Sequence, residues 1–156
     1  MLRKFLMPVC LSGLVVFSSS PQTGFVPDSK RVEDVHEASY RYFFTHDLAR
    51  SNAMAFCISS AEALAPNFLK RFANSDPPVV WLSECPLGPD KSGPLTAKKD
   101  RAVQIGIISV RWISSIEAEV RGGCHSGGIG ATQELLHLTL KNGRWTVVGA
   151  ETELYS

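Results

Sequence analysis

Residues 101–152 alternate apolar and polar side chains through several segments, and turn signals separate these segments. A period of two residues is typical of strands that bury one face of a sheet. Asn142-Gly143 stands between the last two runs. This pair predicts a two-residue type I′ turn, because both central positions of that turn require positive φ. The C-terminal third is therefore predicted to fold as an antiparallel sheet.

The predicted turn fixes the pairing of the last two strands, over residues 134–148. The expected pairs are Lys141 with Arg144, Leu140 with Trp145, Leu138 with Val147 and Leu136 with Gly149. In this register one face is apolar and carries Leu136, Leu138, Leu140, Trp145 and Val147. The other face mixes apolar and polar side chains, so partial cover is expected over Leu135, His137, Thr139, Thr146 and Val148.

Two further strands are predicted upstream. Apolar residues alternate in one phase up to Ile107 and in the opposite phase from Ile108, which predicts a β-bulge where the phases meet. Ser114-Ser115 is a candidate turn, after which Ala118 and Val120 are expected to point inward. Two glycine pairs are expected to break or distort the strand pairing: Gly122-Gly123 and Gly127-Gly128.

The N-terminus has the composition of a secretory signal peptide. A short basic region and a mostly apolar run end at Phe17, and the small residues Ser18 to Ser20 follow. The apolar run is shorter than the roughly 20 residues that span a membrane. We expect a signal peptide over residues 1–20 and a secreted or periplasmic protein; the alternative is an anchor that is not cleaved. A linker over residues 21–30 and a single α+β domain over residues 31–156 are predicted to follow.

A long helix is predicted after the linker. Asp28 or Ser29 can cap its first turn, and the helix is expected to end near Ala49. Residues at helical spacing form a stripe with a high aromatic content, which predicts packing against the sheet: Val32, Val35, Ser39, Tyr42, Phe43 and His46.

A strand over residues 53–59, a shorter helix over residues 66–74 and a strand over residues 79–82 are predicted next. The length of the connection permits parallel pairing of these strands through a crossover. A long exposed loop is predicted over residues 85–99. The predicted fold class is α+β, with a curved antiparallel sheet of four or more strands packed against one long and one shorter helix.

Three cysteines lie beyond the predicted signal peptide, Cys57, Cys85 and Cys124. Thiols in an exported protein tend to pair. If the strands at residues 53–59 and 79–82 are neighbours, Cys57 and Cys85 lie at their ends and can form a disulfide. Pairing of Cys85 with Cys124 and three unpaired thiols are the alternatives.

The glycine-rich stretch over residues 122–128 contains Cys124 and His125, a thiol beside an imidazole. Adjacent residues of an extended strand point to opposite faces, so the two side chains pair only if the glycines bend the chain sharply. The stretch has neither zinc-ligand spacing nor the lysine of a phosphate-binding loop. Together with His137, which lines a pocket if its face is covered, Cys124 and His125 are the candidate ligand-binding residues.

The first helix carries two histidines about 80° apart, His36 and His46, so they are not expected to share a metal ion. Glu33, His36 and Glu37 share one helical face and can bind a divalent ion, although a solvated helix surface is the alternative. No metal site and no cofactor is predicted.

An amphipathic helix and a curved sheet are predicted to come before Lys141-Asn142-Gly143-Arg144-Trp145 and Thr146-Val147-Val148. This order resembles the C-terminal half of the cone-shaped NTF2-like and SnoaL-like domains. This resemblance implies a pocket between sheet and helices. A strand at residues 53–59 departs from that pattern. Further short stretches resemble small exported bacterial proteins of no assigned activity: Phe56 to Ser59, Phe68-Leu69, Arg71-Phe72, Pro78-Val79, Glu117 to Val120, Gly122-Gly123 and Gly143 to Trp145.

Three functions are compatible with the sequence. The first is a non-catalytic exported domain that binds a small molecule or an envelope partner. The second is a small enzyme with a pocket near Cys124, His125 or His137. The third is a structural or accessory subunit that forms an oligomer through the mixed face of the last hairpin. A net charge of +1 with 20% charged residues argues against nucleic acid as a partner.

Overall fold

The computed structural model describes residues 25–46, 53–88, 93–96, 101–125 and 130–155. One α-helix packs on a six-stranded sheet, so the fold is α+β. The elements are α1 (Ser29–Thr45), β1 (Phe56–Ser60), β2 (Val79–Trp81), β3 (Val103–Trp112), β4 (Glu117–His125), β5 (Ala131–Lys141) and β6 (Arg144–Tyr155). The predicted signal peptide over residues 1–20 lies outside the described residues and stays a prediction.

The sheet is mixed, with the strand order β2-β1-β3-β4-β5-β6. Strands β3 to β6 form the expected antiparallel meander. Strand β1 pairs in parallel with β2, and on its other side it also pairs in parallel with β3. The antiparallel prediction for residues 101–152 is therefore correct, and the parallel pairing that the sequence permits for the two N-terminal strands is present. The sheet as a whole is mixed and not antiparallel throughout.

The β5–β6 hairpin turns at Asn142 and Gly143, whose φ values of 50° and 75° fit the predicted type I′ turn. The first pairs agree with the prediction, Lys141 with Arg144 and Leu138 with Val147 among them. A register shift then makes Gly149 the partner of His137, so the expected pairing of Leu136 with Gly149 is wrong. Alternation of the side chains is kept on β5, and the predicted inner face packs in the core.

Strand β3 changes register between Ile107 and Ser109, as the two phases of its apolar residues predict. Ala118 and Val120 on β4 are buried, again as expected. The glycines of β4 do not break the ladder, because Gly122 and Gly123 remain paired with both neighbouring strands. A Cβ on Gly122 would lie 3.1 Å from the Phe43 ring, and one on Gly123 would lie 2.0 Å from the carbonyl oxygen of Thr132. The second glycine pair, Gly127-Gly128, lies outside the described residues.

Helix α1 begins where the sequence predicts, because the Asp28 side chain caps it by accepting a hydrogen bond of 2.8 Å from the Arg31 backbone N–H. It ends at Thr45 rather than near Ala49, and His46 is already extended. Thr45 Oγ1 donates to the Tyr42 carbonyl, so the last turn is closed by a side chain. The buried side is formed by Val35, His36, Ser39, Tyr40 and Phe43.

The predicted shorter α-helix is wrong. Residues Phe68–Phe72 form a five-residue 3₁₀-helix, and backbone bonds such as Phe68 N–H to the Ala65 carbonyl span three residues. Prolines at positions 66 and 77 leave little chain for helical turns, and Asn67 and Asn74 favour turns over helix. Phe68 and Phe72 are nevertheless buried, so the expected apolar anchors are in place.

A disulfide joins Cys57 on β1 to Cys85, which follows a short 3₁₀-helix after β2. Cys57 lies on the sheet face opposite its neighbour Ile58, because successive strand residues alternate. The bridge forms a small second core with Ala55 and Ala102 on the face away from α1. The loop that follows is not fully exposed as expected, since its described part contains a buried Gly88 and two isolated β-bridges. In the described part of the chain, no helix has the length and apolar character that crossing a membrane requires.

Candidate functional site

Strands β1 and β2 run in parallel and therefore end at the same edge of the sheet, at Ser60 and Trp81. In sheets with parallel strands, ligands commonly bind at the carboxyl ends of those strands. A cleft of about 470 Å³ opens here. We call it the β1 cleft, and its lining residues are Ile58, Ser59, Ser60, Glu62, Leu64, Trp81, Leu82 and Ser83.

A hydrogen-bonded imidazole lies behind Ser60. His36 of α1 is 0% exposed, and its Nε2 lies 2.9 Å from Ser60 Oγ. The other ring nitrogen, Nδ1, lies 2.8 Å from the carbonyl oxygen of Val32, one turn earlier in the helix. Ser60 Oγ also lies 3.0 Å from the backbone nitrogen of Glu62.

These contacts fix the direction of every hydrogen bond in the group. A carbonyl oxygen only accepts, so His36 Nδ1 carries the ring proton and donates it to Val32. In the neutral ring Nε2 is then an acceptor, and the Ser60 hydroxyl donates to it. The Glu62 N–H donates in turn to Ser60 Oγ. The result is a serine hydroxyl aimed at the basic nitrogen of a buried histidine.

The surroundings favour the neutral form of this histidine. Burial lowers the pKa of His36 below its ordinary value of 6.5, although the hydrogen bond to Val32 and the charges of Glu62 and Glu33 oppose the shift. At neutral pH the imidazole is therefore unprotonated, and its Nε2 lone pair faces Ser60.

Helix α1 is held over β1 by a second polar contact. The Tyr40 hydroxyl donates a hydrogen bond of 2.7 Å to the Ser59 carbonyl, and burial raises the pKa of Tyr40. The Tyr40 ring packs 6.1 Å from Phe68, which in turn stacks 6.2 Å from Trp81. This aromatic row connects the helix to the apolar wall of the β1 cleft.

The outer side of α1 is tied to the 3₁₀-helix by Arg71. Its guanidinium lies within 2.9 Å of three helix carboxylates, those of Glu33, Asp34 and Glu37. Burial works against the charge, but the three hydrogen bonds outweigh it and raise the pKa of Arg71. Two carboxylates of the proposed divalent-ion face, Glu33 and Glu37, are thus taken by an arginine, and His36 points to Ser60 instead.

The structure separates the predicted ligand-binding residues. Cys124 is 3% exposed on the face beneath α1, whereas His125 is exposed on the opposite face. His137 also lies on that outer face, with Nε2 3.3 Å from Glu151 and Nδ1 3.6 Å from Glu119. Cys124 pairs with Thr132, five residues before His137 on β5, which corresponds to roughly 17 Å along the strand. His137 therefore lies away from Cys124 and His125.

Cys124 instead has polar neighbours on its own face. Thr132 and Glu134 of β5 are 5% and 3% exposed, and Thr132 Oγ1 has no hydrogen-bond partner among the described residues. A buried thiol, a hydroxyl and a carboxylate therefore share this part of the face.

Two other clefts of similar volume are present. One, of about 470 Å³, lies between α1 and the hairpin turn and is bordered by side chains that already pair with each other, Glu37 with Arg41 among them. The other, of about 490 Å³, is bordered by the last residues of β1 and by parts of β3, β4 and β5, and both Cys124 and His125 line it. Within the described residues no set of three or more His, Cys, Asp or Glu side chains is arranged to hold a metal ion.

The sequence analysis missed the pairing of His36 with Ser60. His36 stands out only weakly in the sequence, because it lies beside the predicted stripe of α1 and Ser60 lies one residue beyond the predicted strand. A strand ending in Ser59-Ser60 at the carboxyl edge of parallel strands was the available signal. The histidine partner depends on how α1 docks, which the sequence does not show. Comparison of the chain with protein-family models, with curated proteins and with solved structures gave no match.

Proposed function

We propose that the protein is an exported domain that binds a small, partly apolar molecule in the β1 cleft. The observation that carries this proposal is the composition of that cleft. Leu64, Trp81 and Leu82 provide an apolar wall, and the hydroxyl of Ser60 and the carboxylate of Glu62 provide a few polar contacts. Small-molecule sites typically combine these features in a volume of roughly 300–1,000 Å³.

Export is part of the proposal. The predicted signal peptide over residues 1–20 directs the protein to the periplasm or the exterior. The disulfide between Cys57 and Cys85 supports this location, because disulfides persist in oxidising compartments. The bridge closes the chain segment that carries most of the β1 cleft, so an oxidising environment also stabilises the binding region.

A fragment set tests the proposal. Neutral compounds with one aromatic or branched aliphatic group are screened by thermal melting, and hits are followed by tryptophan fluorescence of wild type and Trp81→Phe. We expect hits that raise Tm and lose their fluorescence change in Trp81→Phe. At about 100 times Kd, binding stabilises the folded state by about 2.7 kcal/mol.

A pair of leucine variants locates the binding. Leu64→Asn changes the cleft wall and should weaken binding of the hits at least tenfold. Leu87→Asn is the matched control, because Leu87 is 64% exposed and lies outside the cleft. Equal weakening in both variants, or hits whose effect survives Trp81→Phe and Leu64→Asn, would contradict binding in the β1 cleft.

An accessory subunit is the second candidate. On the outer face of the sheet Ile108 is 52% exposed and Val148 is 53% exposed, and the sheet also carries the partly exposed salt bridge of Arg121 with Glu153. Protein interfaces combine exposed apolar side chains with charged ones. This candidate predicts a concentration-dependent oligomer in light scattering, which Val148→Lys abolishes. A monomer at all concentrations contradicts it.

A further inference from the structure

We propose that Ser60 is a nucleophile, with His36 as its general base, and that the β1 cleft transfers the acyl group of a small ester to Ser60 and then to water. This inference rests on the proposed function, because it assigns a reaction to the same cleft. It adds a substrate class, uncharged esters with a compact apolar acyl group.

The geometry of the pair carries the inference. An activated serine needs an acceptor nitrogen within about 2.6–3.2 Å of its hydroxyl, and the nitrogen must be oriented by a third group. Ser60 Oγ lies 2.9 Å from His36 Nε2, and the carbonyl of Val32 fixes the ring through Nδ1 at 2.8 Å. A backbone carbonyl thus has the orienting role that a carboxylate has in the familiar triad.

Ser60 and His36 differ in their exposure, as a nucleophile and its general base require. His36 is fully buried, whereas Ser60 is only half-buried and borders the β1 cleft. A substrate can therefore reach the Ser60 hydroxyl from the cleft. Two other serines of the cleft, Ser59 and Ser83, have no imidazole hydrogen-bonded to them among the described residues.

The proposed ester hydrolysis needs only Ser60, His36, the ester and water. Ser60 Oγ forms a bond to the ester carbonyl carbon, and its proton passes to His36 Nε2. The bond from carbon to the alkoxy oxygen breaks, and the proton on Nε2 passes to the leaving alcohol. Water then adds to the acyl carbon, gives a proton to Nε2 and displaces Oγ, which recovers that proton. The Glu62 N–H donates to Oγ at 3.0 Å and helps to hold the hydroxyl in place beside His36.

The walls of the cleft define the substrate class. Leu64, Trp81 and Leu82 favour an apolar acyl group, and the volume of about 470 Å³ limits its size. The carboxylate of Glu62 disfavours an anionic ester by charge repulsion. Neutral phenyl or nitrophenyl esters of short acids are therefore suitable probes.

The experiment uses the folded, oxidised protein with p-nitrophenyl acetate and a fluorophosphonate probe. Peptide mapping of the labelled protein should place the phosphonyl group on Ser60. Ser60→Ala should lower the hydrolysis rate at least about 100-fold, because it removes the nucleophile. Ser109→Ala is the matched control and should stay within about twofold, because Ser109 is exposed on β3 and does not line the β1 cleft.

The pH profile distinguishes catalysis from a purely structural role of the pair. Hydrolysis should increase as His36 loses its proton and reach half of its plateau below pH 6.5, because burial lowers the pKa of His36. His36→Gln should remove this profile while its unfolding remains cooperative. Peptide mapping uses the wild-type protein, so it identifies the labelled serine even if Ser60→Ala or His36→Gln fails to fold.

Labelling on Ser59, Ser83 or no serine would overturn the inference, as would hydrolysis that Ser60→Ala leaves unchanged. Fragments that raise Tm and lose their effect in Leu64→Asn would still support the proposed binding function in that case. Conversely, absence of both labelling and fragment binding rejects the cleft as a site altogether.

Discussion

The two ends of the sheet are held together in different ways. In the meander of β3 to β6, neighbouring strands follow one another in sequence, and each strand is nine or more residues long. At the parallel end, β1 and β2 are five and three residues long, and distant parts of the chain stabilise them. A disulfide, the His36 to Ser60 hydrogen bond and the Arg71 cluster each connect residues at least 24 positions apart.

This difference indicates where chemistry is expected in the molecule. The meander is encoded by local patterns and buries a continuous apolar face, so its stability does not depend on single polar contacts. The parallel end depends on specific polar and covalent contacts, and these place a serine, a histidine and an open cleft together. The candidate site and the least locally encoded part of the fold coincide.

Removal of the disulfide is expected to have the largest effect and to act on the parallel end. The combined change Cys57→Ala and Cys85→Ala should lower the free energy of unfolding by ~3–4 kcal/mol, because the bridge closes a loop of 28 residues. Denaturant unfolding measures the loss. Hydrogen exchange should show faster exchange in β1 and β2 before it reaches β4 and β5.

Cys124→Ala is the control for this experiment, because Cys124 is buried in the meander and lies outside the disulfide. We expect a loss of about 1 kcal/mol from the smaller side chain. Equal acceleration of exchange in both halves of the sheet after loss of the disulfide would show that the two ends unfold as one unit.

Loss of the Arg71 side chain should have the next largest effect. Arg71→Met removes the guanidinium that three carboxylates of α1 share and should cost about 2 kcal/mol at pH 7. Burial raises the pKa of Asp34, but hydrogen bonds from Lys30 and Arg71 outweigh this and lower the pKa below 3.8. The stability that Asp34 contributes is present above pH 3.8 and is lost as the pH falls further, so the variant should approach wild type in acid.

Lys30→Met is the matched control for the arginine variant. Lys30 contacts Asp34 at 2.6 Å, but its side chain is 78% exposed. Exposed ion pairs contribute about 0–1 kcal/mol, so this variant should lose less than half as much as Arg71→Met. A loss as large as that of Arg71→Met would mean that charge alone, and not the link to the 3₁₀-helix, stabilises the parallel end.

A turn variant tests the local encoding of the meander. Gly143 has φ 75°, and a Cβ added there meets nothing within 4 Å. Gly143→Ala should therefore cost only backbone strain, about 1 kcal/mol, and leave β1 and β2 unaffected in hydrogen exchange. Asn142→Gly is the control and should be close to neutral, since glycine accepts the φ of 50° at that position. A much larger loss for Gly143→Ala would mean that the turn directs the fold of the whole sheet.

The smallest effect is expected from titration of His36. Its folded pKa is below 6.5, so as the pH falls below 6.5 the unfolded chain binds a proton before the folded chain does. Stability should therefore decrease below pH 6.5 by less than about 1.4 kcal/mol per pH unit, and it should be insensitive to His36 above pH 6.5. His36→Gln should remove this slope in denaturant unfolding from pH 7 to pH 5. An unchanged slope would contradict a buried neutral imidazole.

The same contrast explains what the sequence predicts and what it does not. The hairpin at Asn142-Gly143, the bulge after Ile107 and the inward Ala118 and Val120 follow from local alternation and turn chemistry, and all three are confirmed. The shift that moves Gly149 opposite His137 is not predicted, because a single bulged residue leaves the apolar pattern of β5 unchanged.

The parallel end was predicted only in outline. Short apolar runs predicted the strands over residues 53–59 and 79–82, but they did not show that β1 also pairs with β3. An α-helix was predicted where the 3₁₀-helix lies, because Phe68 and Phe72 are four residues apart, which is the spacing of one face of an α-helix. The contact of His36 with Ser60 joins residues 24 positions apart and depends on how α1 is rotated about its axis, which no local pattern specifies.

The paired glycines of β4 restrict how this protein can diverge. Any side chain at position 123 would collide with the Thr132 carbonyl, and one at position 122 would displace the ring of Phe43. In a saturation mutagenesis library, these two positions should tolerate almost no replacement, whereas the exposed Val148 should tolerate many. Homologous proteins that retain this architecture are expected to share the glycine pair even where the residues around it have changed beyond recognition.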